Sequence, residues 1–194
     1  IVASSKRITS VATPTGDNDA ANKSYVDGVA SGLDIKGSCV AATTAAIGGV
    51  TYNNGSSGVG ATLTADGNGA LSAIDGVTLL ATERLLVKNQ AAAAQNGIYT
   101  VTTVGDGSNP FVLTRATDFD TAAEMPGGFT FIEEGTTNAD NGFVCTTNAG
   151  LTVGTTAINF EQFSGAGQIT AGDGLAKTGD ILSVNVDDIT TAIS

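Results

Sequence analysis

The chain has no histidine and no tryptophan. Without histidine it lacks the commonest general base and the commonest transition-metal ligand. Ser-His-Asp and Cys-His hydrolysis are excluded with it. There are two cysteines, Cys39 and Cys145, far apart and in no CxxC pairing. They form neither a zinc nor a redox motif. They either pair or stay free and buried, and the free buried state is expected. Lysine and arginine total 8 against 19 acidic residues, a net charge of −11. A protein that grips phosphates needs clustered basic residues, and Lys6 and Arg7 are the only adjacent pair. Nucleic acid is therefore not expected as a partner. No stretch reaches the about 18 apolar residues of a membrane helix, so no membrane insertion is expected. "IVASSKRITS" has no apolar core after its basic residues and does not read as a signal peptide. It opens without methionine, as expected of a segment of a longer chain or of a processed one.

Proline is also scarce, at 3 residues, whereas glycine reaches 26 among 194. Thr, Val and Ile recur between glycine-bearing turns, which is the composition of many short strands and not of a disordered linker. Asn54-Gly55, Asp66-Gly67, Asp75-Gly76, Asn96-Gly97, Asp106-Gly107 and Asn141-Gly142 punctuate the middle of the chain. Such dipeptides accept the positive φ angles of hairpin turns. With strands about ten residues apart, the pattern predicts a mainly β fold, an antiparallel β-sandwich or barrel-like domain over 33–165.

The flanks read differently. "KRITSVATP" is an extended arm ending at Pro14. Asp19 is a candidate N-cap for a short helix from about Ala20 to Ser31, closed by Gly32. Ala21, Tyr25 and Val29 recur at i, i+4 and i+8, with Val26 beside them. A helix of about twelve residues is marginal alone. Its apolar stripe needs the β domain or other copies of itself, and the expected partner is a trimer interface of Ala21, Tyr25, Val26 and Val29. Residues 1–32 thus form an arm and a shaft-like helix. Residues 166–194 form a Gly-rich segment with a strand at Ile181 to Val186, leading toward a further shaft or tip module.

The stretch "RLLVKNQAAAAQNGIYTV", from Arg84 to Val101, gathers Lys88, Tyr99 and several amides as an active-site loop would. Lys88 and Tyr99 have no partner base. Alternation puts Leu85 and Val87 on one face and Leu86 and Lys88 on the other, with Ile98 and Val101 on opposite faces of the return strand. Asn89, Gln90, Gln95 and Asn96 are read as satisfying backbone groups where the connection leaves the sheet. "AGDGLAKTGD" misses the phosphate-binding loop, because Ala176 and Ala171 stand where its glycines belong. "DNDAANKSYVDG" lacks the calcium-loop spacing. Glu133-Glu134 and Asp118/Asp120 are carboxylate pairs of the type that cleaves glycosides, though solvated turn residues are the simpler reading. Asn22-Lys23-Ser24 and Asn54-Gly55-Ser56 match the glycosylation pattern, relevant only in a eukaryotic secretory route. No catalytic, cofactor-binding or metal-binding residue is assigned, and no cofactor is expected.

"TPTGDNDAANKSYVDG" resembles the shaft motif common in tail fibres and tail-associated proteins of bacteriophages, a TPT-x-x-x-D-A-A-x-K-x-YVD segment joining a stem to a globular module. "RLLVKNQAAAAQNGIYTV", "FVLTRATDFDTAAEMPGG", "FIEEGTTNADNGFVC" and "GTTAINFEQFSGAGQITAGDGL" are similar to a β-rich module of such fibres. The resemblance runs from about Pro14 to Leu182. It implies a parallel homotrimer in the virion tail, attached to other tail or baseplate proteins, that spaces or presents host-receptor-binding parts. The alternative is an adhesin whose β domain itself binds a host surface glycan or protein. A depolymerase is disfavoured by the lack of long β-helix repeats. With no ligand cluster in the sequence, EDTA should leave the melting temperature unchanged. A drop of many degrees would reveal a carboxylate-lined calcium site.

Overall fold

The computed structural model describes residues 10–16, 18–22, 34–164, 172, 175–178 and 181–184. The fold is mainly β, and its one helical turn among the described residues is a 3-10 turn at Ala93–Gln95. Twelve strands are described: β1 (Asp34–Ile35), β2 (Ala41–Ala42), β3 (Val50–Asn53), β4 (Thr62–Ala65), β5 (Arg84–Val87), β6 (Gly97–Thr103), β7 (Val112–Arg115), β8 (Gly128–Phe131), β9 (Gly142–Cys145), β10 (Phe160–Ser164), β11 (Leu175–Thr178) and β12 (Ile181–Val184).

Of the six turn dipeptides, Gly55, Gly76 and Gly97 take positive φ, whereas Gly67, Gly107 and Gly142 do not. Asn54-Gly55 joins β3 to β4, with Gly55 at φ 54°. Asp75 and Gly76 both take positive φ, 51° and 84°. They close a two-residue turn in which Ile74 and Val77 exchange backbone bonds of 2.8 and 2.9 Å. These are the conditions of a primed hairpin turn.

The sheets are not purely antiparallel, and no barrel closes. β2 lies parallel to β5 in an open six-stranded sheet of order β2-β5-β6-β7-β4-β3. β1 lies parallel to β8 in a four-stranded sheet of order β1-β8-β9-β10. Parallel neighbours need a long crossover. Residues 43–83 and 36–127 supply one each, and turn dipeptides carry no information about such distant pairings. β11 and β12 form a separate hairpin with Leu175 beside Val184. The strand expected from Ile181 to Val186 is therefore joined by a second, Leu175–Thr178, that the sequence pattern did not mark.

Alternation along β5 and β6 divides the core in two. Leu86, Ile98 and Ala42 point toward the four-stranded sheet and meet Ile132, Phe143, Met125 and Phe119. Leu85, Val87, Tyr99 and Val101 point the other way. They meet Leu63 and Leu113 under a cover of Leu71, Leu79 and Phe111. The six-stranded sheet is thus buried on both faces at its centre, which is why β5 is almost continuously apolar. Burying each such side chain contributes about 1.5–3 kcal/mol.

The short N-terminal helix is not found in the described residues. Ala20, Ala21 and Asn22 are not helical. Asp19 caps backwards: its Oδ2 accepts the N–H groups of Thr15 and Gly16, each at 2.9 Å. A carboxylate can accept N–H groups upstream of it as well as downstream, and here the upstream turn takes it. Tyr25, Val26 and Val29 lie outside the described residues.

Gly97 sits at φ 156°, and a Cβ there would fall on the guanidinium of Arg115. Gly97→Ala is expected to cost about 2–4 kcal/mol from overpacking and backbone strain. Thermal or urea unfolding of the variant checks this.

Candidate functional site

The connection from β5 to β6 is held by its amides. Gln90 accepts the Ile47 N–H at 2.7 Å through Oε1 and donates to the Ile47 carbonyl at 3.3 Å through Nε2. Asn96 accepts the Gln90 N–H and donates to the Ile158 carbonyl, both at 2.9 Å. Thr43 donates to Asn89 at 2.9 Å and accepts the Lys88 N–H at 3.0 Å. Gln90 and Asn96 satisfy backbone groups as the sequence reading assigned them, whereas Asn89 bonds the Thr43 side chain. Tyr99 is fully buried and gives its hydroxyl proton to the Gln95 carbonyl at 2.6 Å. Burial raises its pKa, against the pull of Arg115. Lys88 lies 5.0 Å from the centre of the Phe143 ring, and burial lowers its pKa against the opposing charge of Asp75. Tyr99 is sealed from solvent, whereas Lys88 is half-buried.

Beside this connection a cleft of about 280 Å³ opens, lined by segments 43–48 and 71–75 and by Phe111. Thr43, Thr44 and Ser72 bring hydroxyls to it, and Asp75 is its one titratable lining residue. The Asp75 carboxylate is already engaged. It accepts the Thr137 N–H at 3.0 Å, the Asn138 N–H at 2.8 Å and the Asn138 side-chain amide at 3.1 Å. Asn138 is buried and also donates to the Ala42 carbonyl. Partial burial opposes the charge on Asp75, but the donors of Asn138 and Thr137 outweigh it and hold its pKa below the usual value. Asp75 is a latch between two loops, and the sequence showed only its turn.

The other candidate carboxylates differ in how far they are engaged, and Glu133 and Glu134 are exposed. Both oxygens of Asp118 lie near Arg84 Nη2, at 3.0 and 2.9 Å, and Asp118 also accepts the Gly37 N–H. Glu133 accepts the Ser38 hydroxyl. Asp120 is nearly buried. Desolvation raises its pKa, and the Glu124 charge and hydrogen bond add to this, while Arg115 pulls the other way. Cys39 and Cys145 are free and buried in one core cluster. Burial lifts the Cys39 thiol to about 11 and the Cys145 thiol in the same direction, so neither is a ready nucleophile. Among the described residues no three His, Cys, Asp or Glu side chains gather as a metal site. No described helix is long and apolar enough to cross a membrane.

Sequence reasoning missed Arg115. It is 2% exposed and bonds Asn96 O through Nη1 at 2.9 Å and the Tyr52 hydroxyl through Nη2 at 3.3 Å. Its Cζ lies 5.1 Å from the centre of the Tyr99 ring. The alternation of "FVLTRA" was the available signal, since it puts Arg115 on the face of Leu113. Of the expected trimer-interface residues only Ala21 is described, and it is exposed.

Searches of family models, curated proteins and solved structures return no match for this chain.

Asp75→Ala leaves buried donors unpaired and puts alanine at positive φ, so it should cost about 2–4 kcal/mol near neutral pH. A lowered folded pKa contributes stability above the unfolded value of about 3.8 and loses it as pH falls through the folded one. The gap between wild type and variant should therefore narrow below pH 4, read by urea unfolding across pH.

Proposed function

We propose that the chain is a non-enzymatic structural component of a bacteriophage virion, a module of a homotrimeric tail fibre that spaces or presents host-binding parts. The resemblance of "TPTGDNDAANKSYVDG" to fibre shaft motifs gives the class. The observation that carries the reading further is the path of the chain through the four-stranded sheet. β1 and β10 are its two edges. β1 runs parallel to β8, β8 antiparallel to β9, and β9 antiparallel to β10, so the first and last strands run in one direction. Asp34 lies beside Gly128 at one end of this sheet, and Ser164 lies beside Gly142 at the other. The chain comes in at one end and goes out at the opposite end, still heading the same way. A module threaded in line along a fibre needs this path. A stand-alone binding domain has no such need, and termini of domains commonly lie close together.

The commitment of Asp75, Asp118 and Tyr99 to internal bonds also supports a scaffold. The adhesin reading rests on the cleft at Thr43, Thr44 and Ser72. It is weakened because the ring of Tyr99 is fully buried and that of Tyr52 half-buried, which leaves little tyrosine face for a glycan to stack on. In the trimer, three copies would meet along Ala21, Tyr25, Val26 and Val29.

Light scattering of the full chain should give three times the 19.2 kDa mass, and cryo-EM of an intact particle should place the module along a tail fibre. A chain that stays monomeric with its neighbouring fibre modules attached would refute the homotrimer.

A further inference from the structure

Asn-Gly steps stand at Asn54, Asn68, Asn96 and Asn141. Asparagine before glycine is the pair most prone to lose its side-chain amide. Glycine has no Cβ to shield its nitrogen, and it lets the backbone reach the angles the reaction needs. The fold treats the four steps differently. Asn96 is buried, and its amide accepts the Gln90 N–H and donates to the Ile158 carbonyl, both at 2.9 Å. Asn54 accepts the Tyr52 hydroxyl at 2.7 Å and donates to the Val153 carbonyl at 3.0 Å. The Gly55 N–H that follows is held by Asn53 Oδ1 at 2.9 Å. Asn141 accepts the Gln162 amide at 2.7 Å, and Gly142 is buried. Asn68 is the exception. It is exposed, and its side chain has no hydrogen-bond partner among the described residues. It stands between Gly67 and Gly69, with open space where a Cβ on either glycine would lie. The bond that holds the Gly69 N–H runs to the Asn109 carbonyl at a long 3.2 Å.

We propose that Asn68-Gly69 is a site of spontaneous covalent modification in the folded protein, with water as co-reactant, and that its product loosens the connection from β4 to Leu71. The Gly69 nitrogen gives its proton to solvent hydroxide and attacks Asn68 Cγ. The N–Cγ bond forms, the Cγ–Nδ2 bond breaks, and the side-chain amide leaves as ammonia. Water then opens the succinimide ring. Addition at Cγ restores the main chain and leaves an aspartate. Addition at the main-chain carbonyl leaves an isoaspartate, whose main chain runs through Cβ and Cγ. Because the attacking nitrogen must first lose its proton, the rate rises with pH.

The isoaspartate is the product that disturbs the fold. It adds a main-chain atom between two fixed points. The Asp66 N–H is bonded to the Gly49 carbonyl and the Leu71 N–H to the Val104 carbonyl, each at 2.8 Å. Between them the Gly69 carbonyl lies so near Gly105 that a Cβ on Gly105 would strike it. The extra length has no room on that side, so it lifts Gly69 off Asn109. Leu71, which covers the six-stranded sheet and lines the cleft, is next to loosen.

The test ages the full chain, folded and in urea, at mildly alkaline pH and follows each asparagine by tandem mass spectrometry of its peptides. In the folded chain Asn68 should be lost at least about tenfold faster than Asn54, Asn96 and Asn141. Asn148, exposed but followed by Ala149, should lag as well. In urea the four Asn-Gly steps should react at similar rates. Labelling by isoaspartate methyltransferase should mark aged wild type and not Asn68→Gln, whose folding far-UV circular dichroism checks. Aged wild type should melt about 2–4 °C below fresh protein, as for one lost hydrogen bond, and Asn68→Gln aged alike should not. A folded chain that loses Asn68 no faster than the other three overturns the site. Selective loss with an unchanged melting temperature overturns the loosening.

Discussion

A guanidinium sealed inside the protein without a salt bridge constrains everything around it. Arg115 is 2% exposed, and its Nε has no hydrogen-bond partner. Burying an unpaired charge costs several kcal/mol. That cost is tolerable only if the surrounding acceptors stay in place. Asn96 O and the Tyr52 hydroxyl accept its protons, and the Tyr99 face lies against it. Each of these groups is tied in turn. The Tyr52 hydroxyl donates to Asn54, whose amide donates to the Val153 carbonyl at 3.0 Å. Asn96 reaches the Ile158 carbonyl. The segment from Val153 to Ile158, which leads into β10, is therefore fastened through Arg115 to β3, β6 and β7. Loss of one member strands a buried polar group elsewhere, so the network holds or fails as a unit.

The same network explains why a polar, alanine-rich spacer stands between β5 and β6. A tight turn there would not bring Asn96 to Ile158 or Gln90 to Ile47. The spacer lets the chain leave the sheet, close one 3-10 turn, and return at Gly97 with no side chain to displace Arg115. Lys88, Tyr99 and the amides resemble catalytic equipment in sequence because structural networks and active sites draw on the same residue types. The difference lies in what remains free after the bonds are counted, and at this connection Tyr99, Asn89, Gln90 and Asn96 have partners within the chain.

The part of the fold that depends on near neighbours was legible in the sequence. The β3–β4 and β5–β6 hairpins, the opposite facing of Ile98 and Val101, and the roles of Gln90 and Asn96 follow from alternation and turn chemistry. The parallel pairings of β1 with β8 and β2 with β5 were not legible. Both involve two-residue strands placed by packing across dozens of residues, and two residues carry no period. Arg115 and Asp75 were missed for a related reason. A cation in an alternating strand and an Asp-Gly turn each have a local explanation, and only the distant partners, Asn96 for one and Asn138 for the other, reveal their roles.

On the fibre reading proposed above, the in-line path of the chain and the latches around it would answer one mechanical demand. A module that carries load along its length needs its first and last strands in the same hydrogen-bonded sheet. Force applied to β1 then passes through the β8 and β9 ladders to β10, and all three ladders are loaded together in shear. Were the ends on different sheets, the load would cross the apolar contacts of the core instead. Those contacts resist separation through buried area and have no directional bonds to hold register. Asp75, which ties the turn at Gly76 to residues 137 and 138 after β8, and Asn96, which ties the β5–β6 connection to Ile158 before β10, fasten the six-stranded sheet to the strands that would carry load. On this argument the second sheet acts as a brace, and the polar residues that read as candidate chemistry are its fastenings.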